Sequence, residues 1–161
     1  RFVDGRPSEV FLDVPALSQR FVALRGRGAT RNNQPLSSET RSLATSACVS
    51  LCSRSIRVLQ LKPDQRFPGK IRLFGVASLN LVSVAMGQTI ASLEATPKIW
   101  DLAAAWLVLD ELGCPIRWLD ADPAQLSPGE DVADRGFPML AAGSWAHLAR
   151  FLPWGEALVR R

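Results

Sequence analysis

Glu94-Ala-Thr96-Pro97-Lys-Ile99-Trp100-Asp101-Leu-Ala-Ala-Ala105-Trp-Leu-Val-Leu109-Asp110-Glu111-Leu-Gly113 is the stretch on which the fold turns. Pro97 suits the first position of a helix, where a missing N–H costs nothing, and Thr96 before it is an expected cap. From Ile99 to Leu109 every residue except Asp101 is apolar, the pattern of a helix buried on all sides. Asp101 falls in the first turn, where the helix dipole favours an anion. A carboxylate among tryptophans needs a partner, because an unpaired buried charge is costly. Two partners are open: the free backbone N–H groups of the first turn, or a hard cation that prefers carboxylate oxygen.

Outward from this helix the chain alternates strands and helices. Residues 8–14 and 19–25 form two strands joined by a turn at Pro15-Ala16-Leu17. Gly26-Arg-Gly28-Ala29 lacks a G-x-G-x-x-G or G-K-[ST] pattern and reads as the end of a hairpin, followed by a turn at Asn32-Asn33. Residues 33–44 are polar and turn-rich, the best linker. Strands are expected at 45–51, 70–74, 88–94, 115–119 and 137–142, with a helical turn near 56–61. Gly75 to Gly87 forms a helix after a sharp glycine turn, and a closing helix at 144–159 is interrupted by Pro153. The Gly75 turn leaves free N–H groups at a helix start, which serve either simple packing or an anion. Leu73 to Leu93 carries no charge, but Asn80, Gln88 and its serines make it a buried helix plus strand and not a membrane span.

Trp100-Asp101-Leu-Ala-Ala-Ala105, followed by a hydrophobic helix and Asp110-Glu111-Leu-Gly113, resembles the late signature of the inositol monophosphatase family, W-D-x-A-A-G and then E-A-G-G. Ala105, Leu112 and Cys114 replace the usual Gly, Ala and last Gly. The family's R-x-x-G-[ST]-A-A-L-x-[LM]-x-x-V-A-x-G is matched by Arg72, Gly75, Ala77, Leu79, Val84, Ala85 and Gly87, with Val76 at the hydroxyl position. Gly26-x-Gly28-Ala29 and Asn32-Asn33 resemble its hairpin end and N-G turn. The resemblance implies a layered α/β fold with alternating helix and sheet layers. It implies hydrolysis of small phosphate monoesters with Mg²⁺ as cofactor. Gly75, Val76 and Ala77 would then line the substrate pocket, Glu94 would hydrogen-bond a substrate hydroxyl, and Asp101 would sit at the substrate as a metal ligand. The family's upstream Glu and D-P-[IL]-D-G-T loop have no match here, since Asp4-Gly5 reads as an ordinary turn. The expectation is therefore a carboxy-terminal portion, inactive alone, with residues 1–44 as a hairpin of one sheet domain and 45–161 as an α/β domain.

Composition fits that picture. At 47% hydrophobic and 21% charged residues the chain is globular and long enough to bury a core. Arg1 opens it and its methionines are Met86 and Met139, so a longer parent is expected. Thirteen of the nineteen Lys and Arg lie in residues 1–80, against five of the fifteen Asp and Glu. A basic half serves an anionic partner or nucleic acid, and this is the competing, non-enzymatic reading: a basic α/β binding module. The cations are scattered along the chain, so no nucleic acid is expected. Three cysteines and a single His147 exclude a zinc site, and reduced thiols point to the cytoplasm. His147 reads as a surface or structural histidine, Asp120 to Gly136 as a solvated acidic loop, and a homodimer as a possible assembly.

Overall fold

The computed structural model describes residues 1–37, 47–127 and 129–160. The chain opens with a two-stranded hairpin, β1 (Phe2–Val3) and β2 (Arg6–Pro7), turning at Asp4-Gly5. An antiparallel meander follows: β3 (Glu9–Val14), β4 (Gln19–Leu24), β5 (Ala29–Arg31) and β6 (Gln34–Pro35). Asn32 and Asn33 take the β5–β6 turn at φ of 51° and 63°, the left-handed region that asparagine tolerates. The expected linker thus begins as a strand, because Gln34 and Pro35 pair with Arg31 and Thr30. Residues 38–46 of that linker, and the start of the strand expected at 45–51, lie outside the described residues.

The second half builds a five-stranded mixed sheet. Its order is β10 (Ile116–Trp118), β11 (Met139–Ala142), β9 (Ala91–Glu94), β7 (Cys48–Leu51), β8 (Lys70–Arg72). β7, β8 and β9 are parallel, while β11 and β10 return antiparallel. Among the described residues the helices that accompany it are the short α1 (Val58–Leu61), α2 (Ala77–Ala85), α3 (Ile99–Glu111) and α4 (Trp145–Val159). The strand period of two decides the layers. Val49, Leu51, Ala91, Leu93, Leu140 and Ala142 face α4, whose Leu148, Phe151, Trp154 and Leu158 complete one core. Met139 and Ala141 face the other way and join α2, α3 and the meander's Phe21 and Ala23 in a second core. Sheet, helices, sheet, helix is the alternating α/β layering expected.

Three local expectations are corrected. α3 begins at Ile99 with Lys98 as its N-cap, so Pro97 lies before the helix and Thr96 is not the cap. The Thr96 hydroxyl instead accepts a 3.1 Å hydrogen bond from Arg54 Nη1. Trp100 is 62% exposed, although the helix is buried from Ala105 to Leu109. α4 runs unbroken through Pro153, since its buried face outweighs one missing hydrogen bond.

Glu111 ties the two halves together. Its Oε1 accepts from Gly26 N and its Oε2 from Gly28 N, each at 2.7 Å. The amides of the glycine pair at the hairpin end are therefore occupied by an anion of the chain itself. Hydrogen bonds to a charged group contribute about 1.5–3 kcal/mol when buried. Glu111→Ala, at a half-exposed site, is expected to cost about 2 kcal/mol, read as a lower urea midpoint with an unchanged slope; an unchanged midpoint would mean that water replaces the clasp.

Candidate functional site

The site lies where β7, β8 and β9 end and α2 and α3 begin, the carboxyl edge at which open α/β sheets hold ligands. β8 stops at Arg72, and Gly75 at φ +79° turns the chain into α2. Val76 caps α2 in an extended conformation with no side-chain hydrogen bond, which leaves the first amides of the helix uncapped by side chains. A cavity of about 230 Å³ opens there, and Gly75, Val76, Ala77, Glu94 and Asp101 all line it. Val76 is 54% exposed at its rim. Arg72, by contrast, bonds the carbonyl of Ile71 and does not line the cavity.

Alternation along β9 turns Ser92 and Glu94 toward α2. Glu94 is 1% exposed, so its strand end is not solvated. Its Oε1 accepts from Asn80 Nδ2 at 2.7 Å and from Ser92 Oγ at 3.2 Å. Burial pushes its pKa from 4.5 up to about 7; Asn80, Ser92 and the Cys52 thiol pull it down, and Asp101 adds a smaller upward push. Asn80 is itself fully buried, and its Oδ1 accepts from Phe74 N at 3.3 Å, so one amide links the glycine turn to the buried acid.

Asp101 takes the first of the two partners left open, the backbone. Its Oδ2 accepts from Lys98 N at 2.9 Å, closing the first turn of α3. Its Oδ1 has no hydrogen-bond partner among the described residues, and the side chain faces the cavity. A Mg²⁺ ion takes six oxygens in near-octahedral geometry. No group of three or more His, Cys, Asp or Glu among the described residues is placed to hold a metal. The described residues by themselves hold no such set of oxygens.

Asn80, Cys52 and Arg54 also line the cavity, and sequence reasoning did not select them. Asn80 was visible as a polar residue inside an uncharged helical run. Arg54 is the single cation among the lining residues. His147 lies on α4, away from the cavity, where burial and Arg150 lower its pKa. Among the described residues no helix is long and apolar enough to cross a membrane.

Comparison with known proteins agrees with this architecture. The chain is 31% identical over 128 residues to Nus factor SuhB of Xylella fastidiosa, covering 73% of this chain and 46% of that protein. It is 32% identical over 129 residues to the histidinol-phosphatase of Mycobacterium tuberculosis, covering 73% and 48%. It spans about half the length of the curated relatives it matches. A crystal structure of an IMPase/NADP phosphatase complexed with Mg²⁺ and phosphate superposes with a TM-score of 0.70 at 23% identity, over 99% of this chain and 57% of that one. The profile of the inositol monophosphatase family matches residues 2–151, and the chain belongs to that family.

Proposed function

We propose that the protein containing this chain hydrolyses small phosphate monoesters with Mg²⁺, and that residues 1–161 alone are inactive. The observation that carries this reading is that Gly75, Val76, Ala77, Glu94 and Asp101 line one and the same cavity. The uncapped amides at the start of α2 receive an anionic oxygen of the substrate, with the partial positive charge of the helix behind them. Gly75 keeps that approach open, since nothing lies within 4 Å of the place its Cβ would take. Glu94 accepts a hydrogen bond from a substrate hydroxyl through Oε2, because Asn80 and Ser92 both occupy Oε1. Asn80 fixes the rotamer of that acid. Bound Mg²⁺ would polarise the phosphate and activate water. Asp101 would give it one oxygen, while the Lys98 amide holds the other oxygen in place. The incomplete ligand set supports inactivity of the chain alone. The same reading places the protein in the cytoplasm.

The test is phosphate release from inositol phosphates, histidinol phosphate, sugar bisphosphates and 3′-phosphoadenosine phosphate, with and without Mg²⁺. The full-length parent should turn over at least one of them only with Mg²⁺, and the 161-residue chain none. Metal-independent turnover, or no turnover of any of them by the parent, would overturn the reading.

A further inference from the structure

A second, open depression of about 460 Å³ lies at the opposite end of the parallel strands. It is lined by Ala47, Arg66, Phe67, Pro68, Gly69, Lys70 and Arg150. β7 and β8 begin there, with Lys70 opposite Cys48 and Lys70 N donating to Ala47 O at 2.9 Å. They end at the candidate active site, where Leu51 and Leu73 line the cavity. Four residues of strand separate the two places, roughly 13 Å along β7.

Three of the seven lining residues are cations and none is acidic. Arg66, Lys70 and Arg150 are exposed, and none has a carboxylate within salt-bridge distance among the described residues. Like charges gathered without a counter-charge raise the local potential and attract an anion. Phe67 is the aromatic residue of the lining, and its ring is packed on the core beneath. The Phe67 ring stands 5.0 Å from Trp154, edge to face, and 5.7 Å from Phe151. Arg150 lies over Phe151 at 5.7 Å, and Lys62 over Trp154 at 5.6 Å, adding a fourth cation beside the same cluster. Gly69 is packed so closely that a Cβ would come within 2.6 Å of Val49 Cγ2. The loop carrying Arg66, Phe67 and Lys70 is thereby seated against the sheet.

We propose that this depression binds single-stranded nucleic acid. Arg66, Lys70 and Arg150 would hold successive phosphates, and half-buried Phe67 would give a base a face to stack on, the combination that sequence-tolerant single-strand binders use. An open basic groove suits a passing backbone. An acidic peptide would have no use for the Phe67 ring, and a free nucleotide would gain little from cations spread around an open rim. This inference is independent of the phosphatase reading, since no residue is shared between the two sites.

The experiment is anisotropy of a labelled oligothymidylate of about 12 nucleotides, titrated with the 161-residue chain over a salt series. Each cation engaging a single-strand phosphate contributes about 0.7 to the slope of log affinity against log salt. The triple variant Arg66→Gln, Lys70→Gln, Arg150→Gln should flatten the slope by about 2 and weaken binding at low salt by about 10-fold or more. Arg150→Gln alone should flatten it by about 0.7. A charge-matched control, Arg27→Gln, Arg117→Gln, Arg160→Gln, removes exposed cations elsewhere and should stay within about 2-fold of the original chain. All the substituted side chains are exposed, and unchanged melting curves confirm the fold. Equal losses in both triple variants would overturn the proposal. So would displacement of the oligomer by inorganic triphosphate at equal phosphate concentration, or equally tight binding of an oligoglutamate peptide.

Discussion

Glu94→Gln is expected to stabilise the chain by about 3 kcal/mol at pH 8 and to leave it unchanged at pH 4. Burial raises the Glu94 pKa from 4.5 to about 7. Between those values the folded chain keeps a proton that the unfolded chain releases. The stability associated with Glu94 is therefore fully present below pH 4.5, falls as pH rises through 7, and is flat above. A shift of that size corresponds to about 3 kcal/mol, or a melting shift of roughly 6–12 °C for a chain of this length. Glutamine has the shape of the protonated acid, and its amide oxygen can still accept from Asn80. Carboxylates remote from Glu94 titrate alike in both proteins, so the difference between the two melting curves reports Glu94 together with its interaction with Asp101. Parallel curves from pH 4 to pH 8 would show that the acid is ionised in the fold throughout and that its partners already offset the desolvation.

Much of the fold was legible because its signals are local. The apolar run after Trp100-Asp101, the glycine turn at Gly75 and the β3–β4 pair all follow from spacing within a few residues. The illegible parts are relations across distance. Nothing near Glu111 in the sequence announces that its two oxygens bind the amides of Gly26 and Gly28, more than eighty residues earlier. The burial of Glu94 is not visible in its neighbours in sequence, because the helix that covers it, and Asn80 within it, are placed by packing. Trp100 reads as buried because an all-apolar helix has no stripe to mark its outer side; the structure puts that side at the first turn, where Trp100 is exposed. The cations are scattered along the sequence and so read against nucleic acid, yet the fold sets Arg150 of α4 beside Arg66 and Lys70 at the start of β8.

Asp101 separates the two readings of its carboxylate through a pair of substitutions in the full-length protein. As a capping group it contributes about 1 kcal/mol through the Lys98 amide and the helix dipole. Asparagine keeps an oxygen in that place and should hold stability within about 1 kcal/mol, whereas alanine should lose roughly that amount. As a metal ligand the group must be charged, and asparagine does not suffice. Loss of one anionic ligand should cut Mg²⁺-supported turnover by about 100-fold or more, near 3 kcal/mol of barrier, and raise the Mg²⁺ concentration for half activity. The two roles therefore predict different orders. A cap alone makes Asp101→Asn as active as the original and Asp101→Ala merely less stable. A ligand makes both inactive while only alanine melts earlier. Full turnover in a well-folded Asp101→Asn protein would leave the carboxylate with its backbone task and remove it from the chemistry.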